Sequence, residues 1–206
     1  MSTEYQNCYS VLMFILGVDE AGRGPLAGPV AVGTVAVVEG FDFSVFTNLN
    51  DSKKLSEKRR EAIFLVLQEE IKKGNVRAVV ELVSAELIDR GGIAPAVRNA
   101  VQKGVRKLLP NPEEGKVYLD GSLKAPPEYA QETVIGGDTL IPAIMLASVA
   151  AKVTRDRLMK KLALEYPQYE FEVHKGYGTK RHYELIKEHG PCDIHRKTFL
   201  HLETTA

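Results

Sequence analysis

A glycine- and proline-rich segment between two apolar stretches constrains the fold of this 206-residue chain more than any other feature. Residues 10–18 form a short apolar run broken by glycine, which predicts a buried strand. Asp19 and Glu20 follow it, then a glycine-rich turn at residues 21–29 and a valine-rich second strand at residues 29–38. The sequence therefore predicts a carboxylate pair at a strand end, beside backbone that glycine leaves open to close approach by a ligand.

The same turn has the spacing of a dinucleotide-binding fingerprint, at Gly22, Gly24 and Ala27. That motif requires a helix directly after the turn, because the phosphate rests on the helix N-terminus. Here Pro25 and Pro29 follow and lead into a β-branched run, so the context disfavours nicotinamide or flavin binding. A tight turn that carries two solvated acids is the structural alternative.

Strands and helices alternate along the rest of the chain, which predicts one α/β domain with a mixed central sheet flanked by helices. Ser56 is the expected N-cap of the first helix, and Pro142 lies in the first turn of the longest one, where proline is tolerated. The further strands are expected at residues 76–83, 116–120 and 131–135, and the helices at residues 57–73, 84–90, 94–109, 139–166 and 179–189.

The composition is that of an ordinary soluble protein, with 44% hydrophobic and 26% charged residues, and it excludes a disordered chain. The 27 basic and 27 acidic residues balance, so net charge does not identify a partner. No apolar run reaches the ~20 residues that a bilayer requires. Cys8 and Cys192 are interpreted as reduced thiols, and we expect a cytoplasmic protein without a membrane segment.

Two further acids occupy positions like those of Asp19 and Glu20. Asp120 ends an apolar strand, and Asp138 opens the longest predicted helix after two glycines. Because strand ends converge on one edge of an open α/β sheet, the four acids are expected to meet there. Carboxylates without cysteine or histidine suit Mg²⁺ or Mn²⁺. Taken alone, Asp138 could equally be a simple helix N-cap.

The five histidines lie in the last third of the chain, and with Cys192 they suggest zinc. Their separations do not match the close pairs of ordinary zinc sites, so hydrogen-bonding histidines are favoured. Tyr177 lies between two glycines, and its ring either projects to stack on a sugar or base or turns into the core. Lys53 precedes the Ser56 cap, a position suited to phosphate or simply to a solvated loop.

Several of these segments occur in an order and with residues that resemble the ribonuclease HII family. The resemblance extends over about residues 14–200, nearly the whole chain. The motif Gly22-Arg23-Gly24 also favours type HII over the sister type HIII. The matching segments are residues 19–30, 51–55, 118–121, 137–138, 147–156, 174–179 and 190–199.

The resemblance implies an RNase H-like α/β fold, with a mixed five-stranded sheet, flanking helices and a small C-terminal helical part. On this basis residues 1–206 are expected to form a single catalytic domain, with a core over about 14–165 and the C-terminal part over about 166–206. The implied activity is endonucleolytic cleavage of the RNA strand of RNA–DNA hybrids. Cleavage 5′ of single ribonucleotides in duplex DNA is also implied, leaving 5′-phosphate and 3′-hydroxyl ends.

The resemblance also implies roles for individual residues. Two Mg²⁺ or Mn²⁺ ions, ~3.5–4 Å apart, are expected at the catalytic carboxylates during catalysis. The glycine–arginine–glycine element is expected to contact the ribose 2′-OH, the tyrosine to stack on a sugar, and the lysine to hold a phosphate. The carboxylates match Asp19, Glu20, Asp120 and Asp138, and the substrate-binding residues match Gly22, Arg23, Gly24, Lys53 and Tyr177.

Two other function classes remain open on the sequence. A non-catalytic nucleic-acid-binding module could share the fold, although the complete set of acids argues against it. A metal-dependent DNA nuclease is the other, although Gly22-Arg23-Gly24 and Tyr177 provide a way to require ribose. We expect a monomer whose partner is the hybrid or ribonucleotide-containing duplex, and the sequence does not itself indicate a replication clamp. Gly92-Ile93 departs from the Asn-Ile pair of many relatives.

Overall fold

A mixed five-stranded sheet forms the centre of the molecule in the computed structural model, which describes residues 13–47, 49 and 55–200. The strand order across the sheet is β3-β2-β1-β4-β5. β1 pairs with β2 antiparallel and with β4 parallel, β2 pairs with β3 antiparallel, and β4 pairs with β5 parallel. The strands are β1 (Phe14–Ala21), β2 (Val30–Val38), β3 (Val76–Val83), β4 (Gly115–Asp120) and β5 (Ala130–Val134).

Helices follow the strands in the alternation that the sequence predicts. Short 3₁₀ turns add to them at Phe43–Val45, Pro112–Glu114, Pro167–Tyr169 and Lys197–Phe199. The helices are α1 (Glu57–Lys72), α2 (Ala85–Gly91), α3 (Ile93–Leu108), α4 (Gly137–Leu140), α5 (Pro142–Glu165), α6 (Phe171–His174) and α7 (Lys180–His189).

Most boundaries agree with the predictions to within a few residues, and one helix prediction is wrong. Ser56 caps α1, since its hydroxyl accepts a hydrogen bond from the Arg59 amide at 3.4 Å. The single helix predicted over residues 139–166 is two helices, because Ile141 is extended and Pro142 begins α5. Proline has no amide hydrogen to continue α4 and drives the preceding residue out of the helical region.

Two apolar cores cover the two faces of the sheet. On one face α3 packs Val97, Val101 and Val105 against residues of β1, β2 and β4. On the other face α5 lies directly over the strands, because a Cβ at Gly17 would lie 2.1 Å from the Ala143 carbonyl carbon. This close approach brings the middle of α5 to the sheet edge where β1 ends.

The C-terminal part packs on the loop that follows β1. Leu26 and Ala27 from that loop share an apolar cluster with Met159 of α5 and Phe171 of α6. An isolated β-bridge joins Ala27 to His195. The division of the chain near residue 165 stays a prediction. Within the described ranges, no helix combines the length and the apolar character needed to cross a bilayer.

Candidate active site

The four predicted acids lie at one edge of the sheet. Asp19 and Glu20 lie near the end of β1, and Asp120 ends β4. The two strands are parallel neighbours with Val18 opposite Leu119, so their carboxyl ends meet. The backbone amide of Asp138 donates a hydrogen bond to the Asp120 carboxylate at 3.4 Å, which brings α4 to the same edge. The predicted convergence is therefore present in the structure.

Asp138 is not the N-cap of its helix. Gly136 is the N-cap of α4 and adopts a left-handed conformation with φ 71°. Asp138 lies within the first turn, where its side chain is 4% exposed. The alternative that Asp138 is a simple helix N-cap is therefore wrong. Its buried carboxylate belongs to the cluster and does not face solvent.

The positive charges around the cluster do not fully neutralise its carboxylates. Burial raises the pKa of Asp19 to about 7; a hydrogen bond from the Ser148 side chain lowers it, while the charges of Glu20 and Asp120 add to the rise. Burial also raises the pKa of Glu20, against a hydrogen bond from Arg23 that lowers it. A bound divalent cation would relieve this repulsion and favour the ionised carboxylates.

The donor chemistry of the cluster fits a hard divalent ion. All four side chains offer carboxylate oxygens, which are the ligands that Mg²⁺ and Mn²⁺ prefer. In the part of the chain that the structure describes, no three acidic, histidine or cysteine side chains lie close enough together to hold a metal ion as they stand.

The glycine–arginine–glycine turn rests on two buried arginines. Gly22 has φ 90°, and a Cβ there would lie 2.1 Å from Arg155 Nε, so only glycine fits. Arg196 donates from Nη2 to the Gly22 carbonyl at 2.7 Å and from Nη1 to the Arg23 carbonyl at 2.9 Å. Arg155 donates from Nε to the Pro29 carbonyl at 2.8 Å. These bonds hold the turn beside Glu20.

A cleft of about 230 Å³ opens beside the cluster, and two of the four acids, Glu20 and Asp138, line it. The Tyr177 ring forms part of its wall and is 42% exposed, so it projects as the flanking glycines predict. The Arg155 guanidinium and the Lys152 ammonium lie 5.8 Å and 6.0 Å from the ring centroid. The wall includes Glu20, Gly22, Asp138, Ser148, Lys152 and Tyr177.

The sequence analysis assigned no role to three residues of this cleft. Ser148 and Lys152 lie one turn apart on α5, and Arg60 reaches in from α1. Lys152 Nζ contacts Asp156 Oδ1 at 2.8 Å, and Arg60 Nη2 lies 3.8 Å from Asp156 Oδ2. The available signal was a polar pair at i and i+4 in the otherwise apolar first half of α5.

Buried histidines hold the backbone of the Tyr177 segment. His182 Nδ1 lies 2.9 Å from the Tyr177 carbonyl, and His182 Nε2 lies 3.0 Å from His195 Nε2. The Cys192 amide donates to His195 Nδ1 at 2.9 Å. These contacts are satisfied together when His195 carries its proton on Nε2 and His182 on Nδ1. Burial lowers the pKa of both rings to about 4, so both are neutral.

These contacts agree with the hydrogen-bonding interpretation of the histidines. His174 completes the group, since its ring stacks on His182 and its Nδ1 accepts from the Gly176 amide at 3.1 Å. Lys53, the predicted phosphate ligand, lies outside the described residues and stays a prediction.

Comparison with known proteins agrees with the fold and the motifs. A family model described as ribonuclease HII matches residues 16–202. Ribonuclease HII of Endomicrobium trichonymphae is 48% identical over 187 residues, which cover 90% of this chain and 84% of the relative. Ribonuclease HII of Bacillus cereus strain B4264 is 45% identical over 188 residues, which cover 91% of this chain and 69% of the relative.

Solved structures of related proteins have the same architecture. The RNase HII in the PCNA:RNase HII complex from Archaeoglobus fulgidus superposes with a TM-score of 0.71 and 25% identity, covering 94% of this chain and 98% of that one. Ribonuclease H2 from Pyrococcus horikoshii OT3 superposes with a TM-score of 0.69 and 26% identity, and the match covers 90% of this chain and 93% of that one. Bst-RNase HIII in complex with Mn²⁺ superposes with a TM-score of 0.67 and 16% identity, and the match covers 86% of this chain and 63% of that one. At this identity the likeness supports the fold alone. The chain therefore belongs to the ribonuclease HII family of hydrolytic endoribonucleases and has their RNase H-like fold.

Proposed function

We propose that this endonuclease cleaves the RNA strand of RNA–DNA hybrids and cuts 5′ of single ribonucleotides in duplex DNA. The observation that carries the proposal is the meeting of four carboxylates at the ends of β1 and β4, with the pKa of one raised to about 7. Such a strongly perturbed acid in a cleft is typical of a functional site. The proposed catalytic residues are Asp19, Glu20, Asp120 and Asp138.

The proposed cofactors are Mg²⁺ or Mn²⁺, with two ions held by these four carboxylates during catalysis. When bound, such ions lower the pKa of water for attack on the phosphodiester and stabilise the leaving 3′-oxygen. The purely carboxylate donor set supports this choice, since carboxylate oxygens suit these ions. Glu20 also helps to position the adjacent turn, since Arg23 Nη1 lies 3.1 Å from the Glu20 carboxylate.

Recognition of ribose is assigned to the Gly22-Arg23-Gly24 turn. Arg196 occupies the carbonyls of Gly22 and Arg23, so the opposite side of the turn faces the cleft. The amides of Arg23 and Gly24 donate no hydrogen bond to any other described residue. They are therefore available to the 2′-OH, the group that distinguishes RNA from DNA locally.

Tyr177 is assigned to the sugar on the other side of the cut. Its ring projects into the cleft from a segment held by His182, and a flat ring packs well on a deoxyribose. A 2′-OH on that sugar would crowd the ring. The pair of contacts would thus favour a junction from ribonucleotide to deoxyribonucleotide.

The proposed partner is an RNA–DNA hybrid or a ribonucleotide-containing DNA duplex, bound by a monomer. A sliding clamp is a candidate partner because a structural neighbour is in complex with PCNA. Two observations would identify such a contact: co-elution with a clamp, and stimulation of cleavage by it.

The test uses one DNA duplex with a single ribonucleotide, one RNA–DNA hybrid and one all-DNA duplex, each with Mg²⁺ or Mn²⁺. Cleavage 5′ of the ribonucleotide and within the RNA strand, with the all-DNA duplex intact, is the expected result. Binding without cleavage in either ion would identify a nucleic-acid-binding module. Cleavage of the all-DNA control would identify a DNA nuclease.

A further inference from the structure

A second pocket of about 230 Å³ lies on the other side of Arg23 from the catalytic cleft. One wall is the amino-terminal half of α3, where residues 94, 97, 98 and 101 share a face. The opposite wall is the segment directly after β4, with Ser122, Leu123 and Lys124. Arg23 forms the rim that this basic pocket shares with the glycine–arginine–glycine turn. The pocket is therefore continuous with the proposed ribose-binding element.

The charges around the basic pocket are all positive. Its polar lining consists of Arg23, Arg98, Lys124 and Ser122, and no carboxylate contributes to it. Arg98 and Lys124 have no ion pair or side-chain hydrogen bond with any residue that the structure describes. Farther along α3, Arg106 by contrast pairs with Glu128 at 2.8 Å. Two cations left unpaired on facing walls indicate a site for an anion.

The N-terminal end of α3 adds to the positive charge around the basic pocket. Its N-cap is Gly92, which makes no side-chain capping bond, and the first turn contains no acid. An uncapped helix N-terminus carries partial positive charge from its unpaired amides. Val97, Val101 and Leu123 form the apolar floor of the pocket.

We propose that the basic pocket binds a backbone phosphodiester of the substrate duplex, next to the ribonucleotide that Gly22-Arg23-Gly24 contacts. The inference rests on the proposed function, since it places a strand of that substrate across Arg23. A guanidinium, an ammonium and a hydroxyl together match the oxygens of a phosphate. The pocket is too small for a base pair and has no aromatic side chain on which a base could stack. It therefore positions the duplex without reading its sequence.

The first experiment measures how the affinity for the single-ribonucleotide duplex depends on salt. All proteins carry Asp120→Asn, so that the duplex stays intact during binding. We expect Arg98→Ala/Lys124→Ala to lower the slope of log affinity against log salt by about one, since each phosphate that the protein neutralises contributes ~0.9. At 0.1 M salt the loss of affinity is expected to be between about tenfold and a hundredfold.

The matched control is Lys103→Ala/Lys107→Ala, which removes two positive charges, as the test variant does, but takes both of them from α3. Both control residues are exposed on the later turns of α3 and do not line the basic pocket. Their slope is expected to stay within about half a unit of the parent. Equal slopes for the two double variants would show bulk charge rather than a site, and would overturn the proposal.

The second experiment locates the phosphate. Single methylphosphonate substitutions neutralise one phosphate at a time along both strands of the duplex. The parent is expected to lose affinity at one or two positions near the ribonucleotide, and Arg98→Ala/Lys124→Ala to be insensitive at those same positions. If the variant loses as much as the parent at every position, the pocket does not contact the backbone.

The outcomes separate this inference from the proposed function. Cleavage by the otherwise unaltered enzyme tests the function, whereas slopes and methylphosphonate maps test the pocket. A lowered slope without cleavage by the unaltered enzyme would support the pocket and overturn the function. Cleavage together with an unchanged slope would support the function and overturn the pocket.

Discussion

The acidic edge of the sheet and the buried basic group beneath the glycine–arginine–glycine turn differ in how their charges are satisfied. At the acidic edge, burial raises the pKa of both Asp19 and Glu20, and like charges add to the rise. In the basic group, Arg155 and Arg196 are fully buried and donate to backbone carbonyls at 2.7–3.2 Å. The carboxylates of the acidic edge are not fully neutralised by positive partners, whereas the guanidinium groups of the basic group donate to backbone carbonyls of the fold at every buried nitrogen position except Arg155 Nη1.

This difference separates two roles that look alike in the sequence. Charged residues in both groups lie beside apolar stretches and within segments that resemble the family. The carboxylates are arranged for an ion, at some expense of stability without it. The arginines use guanidinium donors to shape a turn, and burial lowers the pKa of Arg196 only to about 10, so it remains charged at neutral pH. Substitutions in the two groups should therefore fail in different ways.

The largest effect is expected for Asp120→Asn at the acidic edge. The substitution keeps the size of the side chain but removes a charge that the ions need, so cleavage should fall more than a thousandfold. Binding to the hybrid and thermal stability should remain close to those of the parent. Glu132→Gln on the neighbouring strand β5 is the control, because it removes an exposed carboxylate that pairs only with Lys116. Activity of Asp120→Asn within tenfold of the parent would refute its assignment.

The next effect is expected for Arg196→Ala in the basic group. The change removes the hydrogen-bond donor to the carbonyls of Gly22, Arg23 and Gly28. We therefore expect the free energy of unfolding to fall by about 3 kcal/mol. Cleavage should fall with stability, which Asp120→Asn would not show. The measurement is denaturant unfolding alongside kcat/KM.

A milder variant keeps this prediction testable if Arg196→Ala does not fold. Arg196→Lys retains the charge but lacks the planar fork that reaches several carbonyls, so it should also lose activity on the single-ribonucleotide duplex. Arg181→Ala is the control, since Arg181 is an exposed arginine paired with Glu170. Full stability and full activity of Arg196→Lys would show that charge alone suffices and that the fork geometry is dispensable.

Tyr177 lies between the two groups, and its substitution should affect specificity rather than stability. Tyr177→Ala removes a stacking contact of ~1–3 kcal/mol, so cleavage at a single ribonucleotide should fall roughly ten- to 150-fold. Tyr177→Phe should change little, because the stack needs the ring and not the hydroxyl. The comparison uses kcat/KM on a single-ribonucleotide duplex and on a long hybrid. If both variants fail equally, the hydroxyl matters; if neither changes the preference, the junction is recognised elsewhere.

Local pattern was sufficient for the acidic edge and insufficient for the basic group. Apolar runs that end in Asp19 and Asp120 predict both strands and their meeting point, because parallel strand ends share an edge. The bond from Arg196 to the Gly22 carbonyl joins residues 174 positions apart, and no periodicity in either segment indicates it. The break at Ile141 was missed for a different reason. Pro142 is compatible with one long helix or with the start of a new one.

The smallest effect at neutral pH is expected from the histidines beneath Tyr177, because their contribution changes only as the pH falls. His182 and His195 have pKa values of about 4 in the folded protein, below the ordinary 6.5. As the pH falls below 6.5 the unfolded chain takes up protons that the folded protein refuses. The contribution of the two rings to the free energy of unfolding is therefore at its maximum above about pH 6.5 and declines towards pH 4. Each ring contributes about 1.4 kcal/mol per pH unit.

Asp19 titrates in the opposite sense, so it must be removed from this measurement. Its raised pKa means that the folded protein takes up a proton near pH 7, which stabilises the fold as the pH falls below that value. Denaturant unfolding of Asp19→Asn between pH 7.5 and 5 removes this opposing contribution, and NMR of the ring resonances assigns protonation to each histidine separately. We expect His182 and His195 to stay neutral to about pH 5 while stability falls. Protonation of either ring near pH 6.5, or a stability that does not change with pH, would show that the hydrogen-bonded chain from Cys192 to Tyr177 does not exclude the proton.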